Sequence, residues 1–151
     1  MPDISLIIPV YREEKVISDV VQRVRRVMDA MNRDYEIIVV DDGSDDATAA
    51  EASKAGAHVI SHPYNIGNGA AVKTGIRNAK GNILVTLDGD GQHAPEDIPR
   101  LLEKMDAYDM AVGARTSDSE ASFHRIVANR IYNRFATYIC KRRIEDLTSG
   151  F

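Results

Sequence analysis

Two aspartates separated by one glycine, Asp88-Gly89-Asp90, close an apolar run and are followed by Gly91, Gln92 and His93. Carboxylates at that spacing offer hard oxygen ligands. Mg²⁺ in particular is held by one or two carboxylates, with waters and substrate phosphates completing its shell. The glycines leave room for a cation to approach the backbone, and Gln92 or His93 could add a ligand or orient a water. Two aspartates so spaced are also common in ordinary turns.

A second acidic set, Asp41-Asp42-Gly43-Ser44, also ends an apolar run. Its carboxylates could accept hydrogen bonds from a nucleobase or a ribose. The competing reading is a turn that caps a helix through Ser44 or Asp45. Asn65-Ile66-Gly67-Asn68-Gly69 precedes a helical pattern and could cradle a diphosphate on backbone amides. It has no lysine–serine pair and does not follow the first strand, so it is no dinucleotide fingerprint, and a plain glycine-rich turn reads equally well. Arg115, Arg125, Arg130 and Arg134 form a basic group downstream. Arginine suits two-pronged capture of phosphate, although Arg130 and Arg134 lie one helical turn apart, as on a solvated face. The four histidines show no metal-ligand spacing, and none reads as catalytic. No nucleophilic serine or cysteine set can be assembled. The residues therefore suggest an acidic metal site beside a nucleotide pocket, with arginines opposite, suited to transferring a group activated by a diphosphate.

The elements that must position these residues alternate along the chain. Residues 4–9 and 35–40 are short β-branched apolar runs, the mark of strands buried on both faces. Between them Val16, Val20, Val21, Val24, Val27, Met28 and Met31 recur at helical spacing, with Arg25, Arg26 and Asp29 on the opposite, solvated face. Helices are expected over 45–55 and 69–79, strands over 57–61, 82–87 and 109–113, and a further helix over about 123–141. Pro95 is placed to open the helix after the Asp88 turn. Such alternation implies a mostly parallel sheet flanked by helices, with strand carboxyl ends along one ligand-binding edge. Both acidic sets and Arg115 fall on that edge.

Four ordered stretches then carry a resemblance. Ile7-Ile8-Pro9-Val10-Tyr11-Arg12-Glu13-Glu14, Val39-Val40-Asp41-Asp42-Gly43-Ser44-Asp45-Asp46, Leu87-Asp88-Gly89-Asp90-Gly91-Gln92-His93 and Val112-Gly113-Ala114-Arg115 resemble the motifs of family 2 glycosyltransferases. Within that family the chain is most similar to the dolichol-phosphate mannose synthase group, which Asp146-Leu147-Thr148-Ser149-Gly150-Phe151 also resembles. The resemblance implies a GT-A type, Rossmann-like α/β fold, and one catalytic domain over 1–151 that looks cut short after Phe151. It implies an inverting, metal-dependent hexosyltransferase that moves a sugar from a nucleoside-diphosphate sugar to a dolichyl or undecaprenyl phosphate, using Mg²⁺ or Mn²⁺. Pro9, Tyr11, Glu13, Asp41, Asp42, Gly67, Asp88 and Gly89 would bind the nucleotide sugar. Asp88, Asp90 and Gln92 would hold the metal, and Arg115 and Arg125 the acceptor phosphate. Asp88 and Asp90 would act in catalysis, with Asp146 the fallback base for a hydroxyl acceptor. Arg12 departs from the family's usual asparagine, and Asn129 stands where a serine is common.

Composition narrows the alternatives. A chain of 151 residues with 44% hydrophobic and 28% charged residues fits one soluble globular domain, and a net charge of −4 argues against a nucleic-acid partner. The single cysteine, Cys140, excludes an internal disulfide and a cysteine-rich zinc site. No apolar run approaches the roughly 20 residues of a membrane span, and no export signal precedes the first strand. The expected place is the cytoplasm, at the inner face of the membrane where a lipid acceptor would lie. Three rivals remain in view. One is a family 2 enzyme extending a polysaccharide, favoured by Glu145-Asp146, and another is a non-catalytic nucleotide-sugar binder. The third is a phosphorylation-receiver module, which fails because its acidic pair should follow the first strand. The sugar could be mannose, glucose or N-acetylglucosamine.

Overall fold

The computed structural model describes residues 1–113. Four parallel strands, β1 (Ile4–Val10), β2 (Tyr35–Asp41), β3 (His58–Ser61) and β4 (Ile83–Thr86), make one sheet in the order β3-β2-β1-β4. All seven residues of β1 are buried, as a strand central to the sheet and covered on both faces requires. Ile4, Leu6, Ile8 and Val10 alternate to one face and Ile7 to the other.

On the first face lie α1 (Ile17–Met31), α2 (Thr48–Lys54) and α4 (Ile98–Leu102), the last entered through a 3₁₀ turn at Pro95–Asp97. The apolar stripe of α1 buries Ile17, Val20, Val21, Val24 and Met28 against the sheet, while Arg25, Arg26 and Asp29 remain on its exposed side. The helix stops at Asn32, whose left-handed backbone (φ 51) returns its N–H to Asp29 O at 3.2 Å. The opposite face receives α3 (Asn68–Asn78), which packs on Ile38 and Val40 through Ala71. Gly75 of α3 sits so close to Ile7 that a methyl group there would strike its side chain.

Two expectations are corrected. Residues 109–113 carry no strand, and Met110 and Val112 stay 77% and 46% exposed. An apolar run becomes a strand only when a neighbour completes its ladder, and no described strand pairs with it. The helix expected from residue 45 begins at Thr48, and neither Ser44 nor Asp45 caps it. Ser44 Oγ instead accepts the Arg12 N–H (2.9 Å), and Asp45 pairs with the Arg12 guanidinium. The cap residue Ala47 has no side-chain bond, and Asp46 accepts the Thr48 N–H at 3.0 Å from just outside the helix.

Candidate active site

Parallel strands bring their carboxyl ends to one edge, and the strand order reverses between β1 and β4, which opens a crevice there. A cleft of ≈ 280 Å³ fills it. Of the residues singled out in the sequence, Pro9, Tyr11, Glu13, Asp42, Gly67, Asp88, Gly89 and Asp90 line this cleft, with Val10, Asn65, Asn68 and Ala71 completing the wall. Asp41 and Gln92 are not among its lining residues. Arg115, Arg125 and Asp146 lie outside the described residues.

The β1 exit turns through Arg12, whose φ of 57 is left-handed. Asparagine adopts that region readily, whereas a long side chain does so at a cost, so Arg12 needs compensation. Two bonds of 2.8 Å to the Asp45 carboxylate and a position 5.1 Å above the Tyr11 ring provide it. Both partners of the ion pair are more than half exposed, so water and salt screen it. Glu13 follows, its N–H fixed by Thr48 Oγ1 at 2.8 Å.

The β2 exit carries Asp41 and Asp42, each 3% exposed. Asp41 Oδ1 accepts the Ser44 N–H at 3.2 Å and shapes the turn. Asp42 does more. Its Oδ1 meets His62 Nδ1 at 2.7 Å and the Ile66 N–H at 3.0 Å, and its Oδ2 accepts the Gly67 N–H at 2.7 Å. Burial works against its charge, but these three donors outweigh burial and hold its carboxyl below the usual carboxylate range. A carboxylate has about four acceptor sites, so room for one ligand donor remains. Gly43, at φ +75, then passes beneath the next loop, where a Cβ would lie 2.5 Å from the Tyr64 carbonyl carbon. Gly43→Ala is therefore expected to lower stability by about 2 kcal/mol, from left-handed strain and a backbone clash together, as chemical denaturation would show. A loss under about 0.5 kcal/mol, the ordinary scatter of surface changes, would refute the tight passage.

The β4 exit carries Asp88, Gly89 and Asp90. His93 closes this turn by accepting the Asp88 N–H on Nδ1 (3.2 Å), and Asp90 Oδ1 accepts the Gln92 N–H (2.9 Å). Gly89 is buried against the end of β1, where a Cβ would collide with the Val10 side chain. Its small size serves close approach of the two strand ends. The crowding of acids shows at Glu13. Burial first, then the nearby Asp90 and Asp46 charges, push its carboxyl above the usual range. A raised carboxyl opposes folding once ionised, an effect absent at low pH and complete above the folded value. Glu13→Gln should accordingly raise the neutral-pH stability of the cation-free protein by up to about 1 kcal/mol, with no gain in acid. Melting curves at the two pH values would test this, and a loss at neutral pH would contradict it.

Sequence reasoning passed over His62. Its signal lies in the register, not in a motif: Asp41 pairs with Ser61, so the next residues of the two strands, Asp42 and His62, emerge side by side.

The profile of the family described as Glycosyl transferase family 2 matches residues 5–151. The undecaprenyl-phosphate 4-deoxy-4-formamido-L-arabinose transferase of Edwardsiella ictaluri is 38% identical over 137 residues, 86% of this chain and 42% of its own length. The protein of the same name from Aeromonas hydrophila is 37% identical over 140 residues, 87% of this chain and again 42% of its own length. The chain thus spans less than half of these relatives. Among solved structures, glucosyl-3-phosphoglycerate synthase from Mycobacterium tuberculosis, crystallised with Mn²⁺, UDP-glucose and phosphoglyceric acid, superposes with a TM-score of 0.75 over 99% of this chain and 55% of its own. Its 22% identity bears on the fold alone. The same enzyme with Mg²⁺ and UDP aligns at 27% identity and a TM-score of 0.59, over 72% of this chain and 41% of its own. The expected GT-A type, Rossmann-like architecture is borne out, and so is the family: the chain belongs to glycosyl transferase family 2.

Proposed function

We propose that the cleft binds a nucleoside-diphosphate sugar, and that the protein transfers the sugar, with inversion, to a polyprenyl phosphate such as undecaprenyl or dolichyl phosphate. The observation that carries this reading is the pairing of opposite characters in one cleft. Asp88 and Asp90 line it together with Asn68 at the amino end of α3. A helix amino end favours phosphate through its free N–H groups and dipole. A carboxylate pair repels phosphate unless a cation lies between them.

The residues fit such a cation. Glu13 and Asp90 already crowd one another with like charge, and Asp88 and Asp90 supply hard oxygens. Among the described residues no three His, Cys, Asp or Glu side chains gather as a complete metal site, so the ion's remaining oxygens would come from the diphosphate, Gln92 and water. Bound there, Mg²⁺ or Mn²⁺ would neutralise charge that builds on the departing nucleoside diphosphate. Pro9, Tyr11, Glu13, Asp41 and Asp42 are assigned to the nucleoside side of the pocket. Asp42 keeps one acceptor site for the base or ribose, whereas Asp41 acts through the turn it holds.

The acceptor half rests on the relatives' names and on the motif that contains Arg115. A phosphate monoester, with a second pKa of about 6, is largely ionised at neutral pH, so its oxygen attacks the anomeric carbon without a carboxylate base. Arg115 and Arg125 are assigned to hold it, and Asp146 would be needed as a base only for a hydroxyl acceptor. Among the described residues no helix is long and apolar enough to cross a membrane. A lipid acceptor would place the work at the inner membrane surface. The test is transfer to polyprenyl phosphate against free polyprenol. Arg115→Ala should slow transfer by at least about tenfold, with donor hydrolysis by water falling much less, and lysine should rescue only in part. Equal rates with both acceptors would sink the lipid-phosphate assignment in favour of a polysaccharide acceptor.

A further inference from the structure

His62 ties together two elements that meet at the cleft. Its side chain is only 10% exposed. Nδ1 lies 2.7 Å from Asp42 Oδ1 at the end of β2, and Nε2 lies 2.9 Å from Thr74 Oγ1 on α3. An ionised carboxylate accepts only, so the proton of this contact sits on Nδ1. In a neutral ring Nε2 then accepts from the Thr74 hydroxyl, while a charged ring donates to the same oxygen. Both states preserve the bond to Asp42.

That bond fixes the rotation of the Asp42 carboxylate, and Asp42 in turn gathers the Ile66 and Gly67 amides at 3.0 and 2.7 Å. The backbone so gathered leads directly into α3 and presents Asn65, Gly67 and Asn68 to the cleft that Asp88 and Asp90 line. We infer that His62 is a positioning residue of this cleft: through Asp42 it sets the wall that faces the donor's diphosphate, without touching the donor. The inference rests on the donor reading above and extends it to a residue outside the cleft lining. The contact with Asp42 carries the effect, and the contact with Thr74 is secondary. The His62 backbone is held independently, its N–H donating to Asp41 O at 2.8 Å, so side-chain changes leave the main chain anchored.

The experiment titrates UDP and GDP, with Mn²⁺, into the full chain and into His62→Leu, His62→Asn and Thr74→Val, with melting temperatures measured in parallel. His62→Leu removes both contacts, asparagine keeps a donor near the position of Nδ1, and Thr74→Val removes only the outer partner. Affinity should fall about tenfold or more in His62→Leu, return to within about threefold in His62→Asn, and change by less than about twofold in Thr74→Val. A merely structural role would make affinity track melting temperature across the three variants, and that pattern would overturn the inference. So would His62→Leu binding like the unaltered chain, or a folded His62→Asn as weak as His62→Leu. If His62→Leu does not fold, His62→Gln, which places its donor near the position of Nε2 and so loses the Asp42 contact, takes its place. A loss of about tenfold there beside a His62→Asn within about threefold supports the inference, and equal affinity in the two overturns it. Failure of the unaltered chain to bind either nucleotide would remove the donor reading itself, and this inference with it.

Discussion

Replacing Asp42 by alanine is expected to cost the fold about 3 kcal/mol or more and to cripple nucleotide binding in whatever remains folded. The carboxylate is nearly inaccessible and serves three donors at once: His62 Nδ1 and the amides of Ile66 and Gly67. Each buried donor left without an acceptor costs about 1–3 kcal/mol, and water entering the vacated space recovers part of it. Asp42→Asn discriminates further. Its carbonyl oxygen replaces Oδ1 toward His62 and Ile66, but its amide group confronts the Gly67 N–H, so an intermediate loss follows. Acid adds a signature. The folded carboxyl is held below its ordinary value, so its contribution is complete above about pH 4 and disappears as pH falls through the lowered value. Urea denaturation of Asp42→Asn should therefore show a shallower acid loss than the unaltered chain. Alanine within about 1 kcal/mol of the unaltered chain would show that the loop forms without this carboxylate.

The largest effect on ligand binding is expected from Asp88→Asn combined with Asp90→Asn. Two carboxylates supply most of the protein's share of a divalent ion's ligands, so neutralising both should weaken Mn²⁺-dependent binding of UDP or GDP by about a hundredfold, near 2.7 kcal/mol. The fold should tolerate the change. Asparagine oxygen still accepts the Gln92 N–H, and the charge that crowds Glu13 is gone. In EDTA the order should reverse or level, the variant binding at least as well as the unaltered chain, because without a cation the two carboxylates only repel the diphosphate. Calorimetry in the two conditions separates these terms. Unchanged Mn²⁺ dependence in a folded double variant would take the metal away from this turn.

The architecture was legible because it rests on local patterns. Continuous β-branched runs marked β1 and β2, and three-and-four spacing marked α1, each within one residue of its observed bounds. The site was legible for a related reason: parallel strands must end on one edge, so acids at strand ends had to meet. What sequence could not show were partnerships between distant turns. Ser44 and Asp45 read as helix caps, yet they serve Arg12, more than thirty positions earlier. The apolar stretch at 109–113 read as a strand, although a ladder depends on a neighbour as well as on composition. Gly89 reads as space for an ion, and its second duty was hidden: it lets the Asp88–Asp90 turn lie against β1. His62 was invisible as a motif because only the β2–β3 register sets it beside Asp42.

The central claim is that one cleft at the β1 and β4 ends takes a nucleoside-diphosphate sugar together with a divalent cation. Calorimetric titration of UDP-glucose, UDP-N-acetylglucosamine and GDP-mannose into the unaltered chain, first with Mn²⁺ and then with EDTA, tests it most directly. The account predicts saturable binding of at least one of them, at one site per chain, weakened by about tenfold or more when the cation is removed. Binding of none of the three with Mn²⁺ present, or equal affinity with and without the cation, would contradict it.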